Sequence, residues 1–277
     1  MTPLQSLITQ MKRIMTHIRR PSLWRRAALA TVALVALCGS AGAAGAWRVP
    51  RETLRYDIMY KWGLVNKKAG SVSVTATPAG DRFNALLTGA TARWADRFYT
   101  VRDTLRGTID HNTFLPVYYE KTAHEGGDYE HNVLRYTRSG NTTTADVAVA
   151  RKRKKDAETR HETKTMTADG QTIDMLSAFY VMRRLDYGAM SPGETKRMNV
   201  FSGKQKEILT IHYEGLDDIE IDGQRRKCYH ITFTFTSRNG KKTSDNMDAW
   251  LSTDSRRIPL LMEGKLPVGK VRAVFAG

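Results

Sequence analysis

The sequence predicts a mainly β protein, a long antiparallel meander curled into a barrel-like or roll-like sheet, with one α-helix near residues 174–187. Three observations carry that expectation. From Leu54 onward polar and apolar residues mostly alternate with period two, the pattern of half-buried strands. Gly, Asn and Asp break these runs where hairpins would turn. Helical spacing occurs in one convincing place, so there is no βαβ alternation to support a parallel sheet. Curling or closure would also protect strand edges that a flat meander leaves unpaired.

The elements follow in order. Tyr56, Ile58, Tyr60 and Trp62 alternate with Asp57, Met59 and Lys61, and Val72 and Val74 alternate with Ser71, Ser73 and Thr75. Pro78-Ala79-Gly80-Asp81 forms a turn, and Phe83, Ala85 and Leu87 resume a run that ends near Gly89. Strands are expected next at Phe98 to Ile109, Phe114 to Lys121, Tyr129 to Thr137 and Thr142 to Ala150. Glu125-Gly126-Gly127-Asp128 and Ser139-Gly140-Asn141 connect them.

After Met166 the texture changes. Met175, Leu176, Phe179, Met182 and Leu185 fall at helical spacing behind Asp174, whose carboxylate can cap free N–H groups, and Gly188 stops the run. Arg183 and Arg184 lie near the C-terminal end, where the helix dipole favours cations. Strand texture returns at Thr195 to Phe201, Glu207 to Gly215, Lys227 to Ser237, Met247 to Leu251, Ile258 to Glu263 and Val268 to Phe275. Arg238-Asn239-Gly240-Lys241 has the Asn-Gly signature of a type I′ hairpin.

The N-terminus reads as an export signal. Lys12, Arg13, Arg19, Arg20, Arg25 and Arg26 precede an uncharged stretch from Ala27 to Leu37. That stretch is shorter than the roughly 20 residues needed to cross a bilayer core. Two small-x-small sites follow, Ala41-Gly42-Ala43 and Ala44-Gly45-Ala46, and the second is favoured. The expected organisation is therefore a cleavable signal over 1–46 and a single β-rich exported domain over 47–277, periplasmic in a Gram-negative bacterium. Leu37 before Cys38 argues against lipidation, and an uncleaved anchor would leave the domain on the same side. Six of the 44 basic residues and none of the 28 acids lie in this segment, so its removal lowers the net charge from +16 to +10. Cys228 is then the remaining cysteine, which excludes an intramolecular disulfide framework.

No G-x-S-x-G, H-E-x-x-H, C-x-x-C or phosphate-cradling glycine loop is present, so the reading leans away from an enzyme, with no catalytic residues, metal or cofactor assigned. His124, Glu125, Asp128 and His131 form the densest ligand-like cluster, but their spacing matches no standard zinc pattern and polar hairpin tips are usually solvated. Arg151-Lys152-Arg153-Lys154-Lys155 is the sharpest charge feature, either a solvated loop or a contact for an anionic surface. Export and the lack of interleaved aromatics disfavour nucleic acid. Tyr60, Trp62 and Trp250 on strand faces, with Arg183, are candidates to line a ligand pocket, although aromatic strand faces also serve simply as core.

Several short motifs carry a family resemblance. They are Tyr56-x-Ile58-x-Tyr60-x-x-Gly63 leading to Ala69-Gly70, Leu115-Pro116-x-Tyr118, and Asp174-x-Leu176-Ser177-Ala178-x-Tyr180-x-Met182-Arg183. Trp250-Leu251-Ser252-x-Asp254 and Arg257-Ile258-Pro259-Leu260 complete the set. Together they resemble the domain-of-unknown-function family 3108 of exported bacterial proteins. The resemblance implies a signal peptide and a β-rich domain, without an activity. By looser analogy it suggests the curled-sheet lipoprotein carriers of the bacterial envelope, whose concave sheet holds acyl chains.

The function expected is a non-catalytic periplasmic or envelope protein that binds a hydrophobic or amphipathic ligand in the concavity of a curled sheet. The alternative is an envelope structural or assembly factor that acts through its surface. An envelope hydrolase is a third reading, and would need His212 or His230 to meet an acid across strands. The expected partners are a lipid or another envelope component, with peripheral rather than spanning membrane contact; oligomeric state is left open.

Overall fold

The computed structural model describes residues 47–237, 240, 244–266 and 269–277. The expected export segment, with Arg238, Asn239 and Lys241 of the expected hairpin and Val268 of the expected last strand, lies outside the described residues. Among the described residues fifteen strands form one sheet in the order β8-β7-β6-β5-β4-β3-β2-β1-β15-β14-β13-β12-β11-β10-β9. Among these residues the first strand, β1 (Glu52–Trp62), pairs antiparallel with the last, β15 (Lys270–Phe275), so two meanders run outward from this pair.

One meander comprises β2 (Val65–Ala79), β3 (Arg82–Thr91), β4 (Val101–Asp110), β5 (Pro116–Glu125), β6 (Asp128–Ser139), β7 (Thr142–Lys152) and β8 (Arg160–Asp169). The other comprises β14 (Pro259–Lys265), β13 (Met247–Ser252), β12 (Gln224–Ser237), β11 (Lys206–Ile221), β10 (Thr195–Phe201) and the two-residue β9 (Thr172–Ile173). Among the described residues only the β9–β10 pairing is parallel. The outer edges nearly meet: Lys164 Nζ donates to the Lys204 carbonyl at 2.9 Å and Asn199 Nδ2 to the Asp169 carbonyl at 2.8 Å. Lys206 Nζ likewise reaches the Thr167 carbonyl. Side-chain bonds rather than a ladder close this seam, and the result is a nearly closed, barrel-like sheet.

Strand β8 was not expected from the sequence, and its burial shows why. Arg160, His161, Glu162 and Thr163 are all exposed, so the inner-face alternation that marks half-buried strands is missing. A charged edge strand of this kind also resists pairing with another chain. Phe98 belongs instead to the connection after a single-turn helix, α1 (Arg93–Asp96). Phe114 precedes β5 with φ of 58°, held there by burial against Trp47 and Phe83.

The main helix, α2 (Met175–Arg184), lies inside the curled sheet, with every residue from Met175 to Arg183 buried. It is apolar around most of its circumference because sheet surrounds it. Asp174 caps it as expected, its Oδ1 accepting from the N–H groups of Leu176 at 2.8 Å and Ser177 at 2.6 Å. The helix is shorter than the spacing suggested, since Leu185 leaves helical geometry with ψ of 138°. Tyr187 then folds back and donates its hydroxyl to the Met182 carbonyl at 2.6 Å, satisfying a carbonyl that helix termination exposes. On β4, Gly107 lets the helix come close: a Cβ there would sit 3.2 Å from Leu176 Cδ2.

Candidate functional site

The helix fills much of the concavity but leaves a cavity of about 70 Å³ along one side. The face carrying Met175, Ala178, Phe179 and Met182 forms one wall, at i, i+3, i+4 and i+7. Tyr56 and Ile58 of β1, Val72 and Val74 of β2 and Leu87 of β3 form the second. Phe233 and Phe235 of β12, Met247 of β13, Met262 of β14 and Ala273 of β15 close it. The lining is almost wholly apolar. Its only hydroxyl, that of Tyr56, is buried, and burial pushes its pKa up, so it stays neutral.

Four methionines meet at this cavity, two from the helix and two from the far meander. Methionine is unbranched, with a polarisable thioether, so such a wall can reshape around an apolar guest at low cost. The volume exceeds the roughly 10–15 Å³ that holds one water, yet the walls offer water almost no hydrogen bonds. Val72, Leu87 and Met262 are half-buried and mark where the cavity nears solvent. Tyr60 and Trp62 continue the strand face of Tyr56 and Ile58, leading from the cavity toward the end of β1.

The expected ligand residues are not gathered at one place. Tyr60 is half-buried above the cavity wall, and Trp62 is exposed at the strand end. Trp250 sits on the outer face between buried Ala249 and Leu251, stacked on His230 at 4.6 Å and donating Nε1 to Asp217 at 2.8 Å. Arg183 is fully buried at the foot of the helix, bound to Glu52 and to the Arg256 carbonyl. Sequence reasoning missed the methionine wall because each methionine reads as ordinary core within its own element.

Along the basic run, Arg151, next to last in β7, pairs with Glu130 at 3.0 Å, whereas Lys152, Arg153, Lys154 and Lys155 are exposed. Inside the sheet behind them lies a polar cluster of Asp103, Lys121, Glu125, Glu130 and Asn132. Burial, reinforced by Glu125, pushes the Asp103 carboxyl up to about 8. Burial opposes ionisation of Glu130 too, but Lys121 and Arg151 outweigh it and hold that carboxyl low. Asp103 was legible as an anomaly, since the phase Val101-Asp103-Leu105 puts an acid on the inner face.

The ligand-like cluster separates in space. His131 Nε2 meets Glu120 Oε1 at 2.9 Å, while the His124 ring packs on Tyr129. Among the described residues no group of three or more His, Cys, Asp or Glu is gathered to hold a metal. His212 Nδ1 meets Thr195 Oγ1 at 2.9 Å, and His230 Nε2 does meet an acid across strands, Asp248 Oδ1 at 2.9 Å. That dyad lies on the outer face beside Trp250, and the sheet separates it from the cavity-lining Phe233 and Met247 on the inner face. Two larger clefts, of about 630 and 680 Å³, are lined mostly by polar side chains, among them Arg55, Lys68 and Arg102 in one and Arg225, Arg226 and Lys227 in the other. Several of these already have partners, with Lys68 on Asp57 and Arg225 on Asp218.

The fold recurs in the crystal structure of a beta-barrel-like protein of domain of unknown function DUF1849 from Brucella abortus. The TM-score is 0.57 over 83% of this chain and 97% of that one, at 8% sequence identity, a likeness of fold alone. No curated protein matches the sequence. The family model described as a protein of unknown function, DUF3108, matches residues 55–276, and the chain belongs to that family.

Proposed function

We propose that this protein is a non-catalytic binding protein of the bacterial envelope, acting in the periplasm, that holds an acyl-chain-like hydrophobic or amphipathic ligand between α2 and the sheet. One observation carries the reading: an apolar cavity whose walls join the central helix to both meanders and contain four methionines. The helix occupies most of the concavity, so the guest lies along the Met175–Met182 face instead of across an open sheet. A ligand entering here displaces little water and gains roughly 25 cal/mol for each Å² of apolar surface buried. Export rests on the basic segment followed by the apolar stretch Ala27 to Leu37.

Native mass spectrometry of protein purified without detergent tests the reading. A retained adduct of lipid mass, lost on denaturation, is the expected result. Protein that carries no adduct and takes up no fluorescent fatty acid would contradict it.

A further inference from the structure

Strand direction alternates, so the connections after β1, β3, β5 and β7 share one end of the sheet. At this end several large apolar side chains are exposed. In the β1–β2 hairpin Trp62 is 56% exposed and Leu64 fully so, with Val65 beside them, and Phe98 after α1 is 67% exposed. These residues belong to one patch. Trp94 of α1 donates Nε1 to the Lys68 carbonyl of the hairpin at 2.7 Å, packs edge-on to Phe98, and lies under Lys67 Nζ at 4.3 Å. Lys61, Lys67, Lys68, Arg93 and Arg97 surround it, all exposed.

The same rim continues to the basic run. Gly126, in the β5–β6 turn, donates its N–H to the Thr100 carbonyl at 2.8 Å and abuts the Tyr99 ring. Gly127 abuts the Lys154 side chain, and the Lys154 N–H bonds Asp128 at 2.8 Å. Exposed Lys152, Arg153, Lys154 and Lys155 therefore extend a basic border that begins beside Trp62.

We propose that this rim docks on the surface of an anionic lipid bilayer, Trp62, Leu64 and Phe98 entering the headgroup region while the flanking Lys and Arg meet lipid phosphates. Charge complementarity decides the occupant. A few projecting apolar side chains bordered by many cations suit an anionic interface, where tryptophan partitions and basic residues are attracted. Among the described residues no helix is long and apolar enough to cross a membrane. Docking is independent of ligand uptake in the cavity, although the Trp62–Tyr60–Ile58 face would aim the cavity's apolar side at the bilayer.

An environment-sensitive fluorophore tests the proposal in the full chain, attached at Leu64→Cys or, at the opposite end, at Asn141→Cys. Cys38→Ser removes one competing thiol. Cys228 is buried, and burial pushes its thiol up to about 11, so it stays unreactive. Leu64 and Asn141 are both exposed, so neither substitution disturbs packing.

Vesicles of phosphatidylglycerol and phosphatidylethanolamine should shift emission to the blue at position 64 and leave position 141 unchanged. The shift should be much smaller with phosphatidylcholine vesicles and should weaken as salt rises from about 0.1 to about 1 M. Replacing Lys152, Arg153, Lys154 and Lys155 with serine should weaken binding at least about tenfold. An unmoved signal at position 64, equal signals at both positions, or affinity indifferent to salt and to the four substitutions would overturn the proposal. So would a response at position 64 to solubilised envelope proteins but not to vesicles, which would assign the rim to a protein partner.

Discussion

Arg183, in the last turn of the central helix, forms a two-pronged ion pair with Glu52 of the first strand, Nη1 to Oε1 at 2.5 Å and Nη2 to Oε2 at 3.3 Å, across 131 residues of sequence. Both side chains are buried, and the guanidinium also donates to the Arg256 carbonyl at 3.1 Å and lies over the rings of Trp47, Phe179 and Tyr180. The pair pins the foot of α2 to β1 and to the β13–β14 connection at once. That is a structural role, and it sets the height of the methionine face against the sheet.

Arg183→Met should therefore lower unfolding free energy by about 3–5 kcal/mol, because it strands a buried carboxylate with only the half-exposed Arg256 for a partner. Glu52→Leu combined with Arg183→Met should recover most of that loss, since the pair's own desolvation cost then disappears. Denaturant melts of the single and double variants measure both effects.

The helix cap should make stability fall as pH rises. Burial, opposed by hydrogen bonds from Ser177 and Leu176, pushes the Asp174 carboxyl up to about 7, whereas an unfolded aspartate titrates near about 3.9. The native state holds the extra proton between these values. The contribution is fully present below about pH 4 and lost as pH rises through about 7. Asp103, raised to about 8 chiefly by burial, acts in the same direction over a slightly higher range. Asp174→Asn, which keeps a capping oxygen, should flatten the decline in melting temperature between pH 5 and pH 8. Asp174→Ala should cost about 1 kcal/mol more than Asn by losing the cap.

Tyr187→Phe should cost about 1 kcal/mol or somewhat more, because the Met182 carbonyl is buried and loses its donor. Hydrogen exchange should then speed up in the last turn of α2 before the strands respond.

Much of the sheet was legible because its strands carry an inner apolar phase. Leu54, Tyr56 and Ile58 on β1 and Ile231, Phe233 and Phe235 on β12 occupy the core as alternation demands. The Asp174 cap was equally readable, since its carboxylate serves the N–H groups that follow it directly. The elements that escaped lack that phase: β8 is polar on both faces from Arg160 to Thr165, with only Met166 and Ala168 reaching the core, and α1 is a single turn defined by contacts of Trp94 with the hairpin. Arg183 was legible as a cation near a helix end, but its partner Glu52 lies in a different element and no local pattern joins them. The cavity was the least legible feature. Met175, Met182, Met247 and Met262 come from three elements whose juxtaposition depends on the closing of β1 onto β15.

The cavity is tested most directly by filling it. Ala178 faces it from the middle of α2, so Ala178→Leu places new side-chain atoms where the guest would lie, next to adaptable methionines. Equilibrium titration with a fluorescent fatty acid, run beside a thermal melt of each protein, gives the comparison. Ala178→Leu should keep a cooperative melt within a few degrees of the parent and lose uptake at least about tenfold; uptake unchanged by the filled cavity would contradict binding between the helix and the sheet.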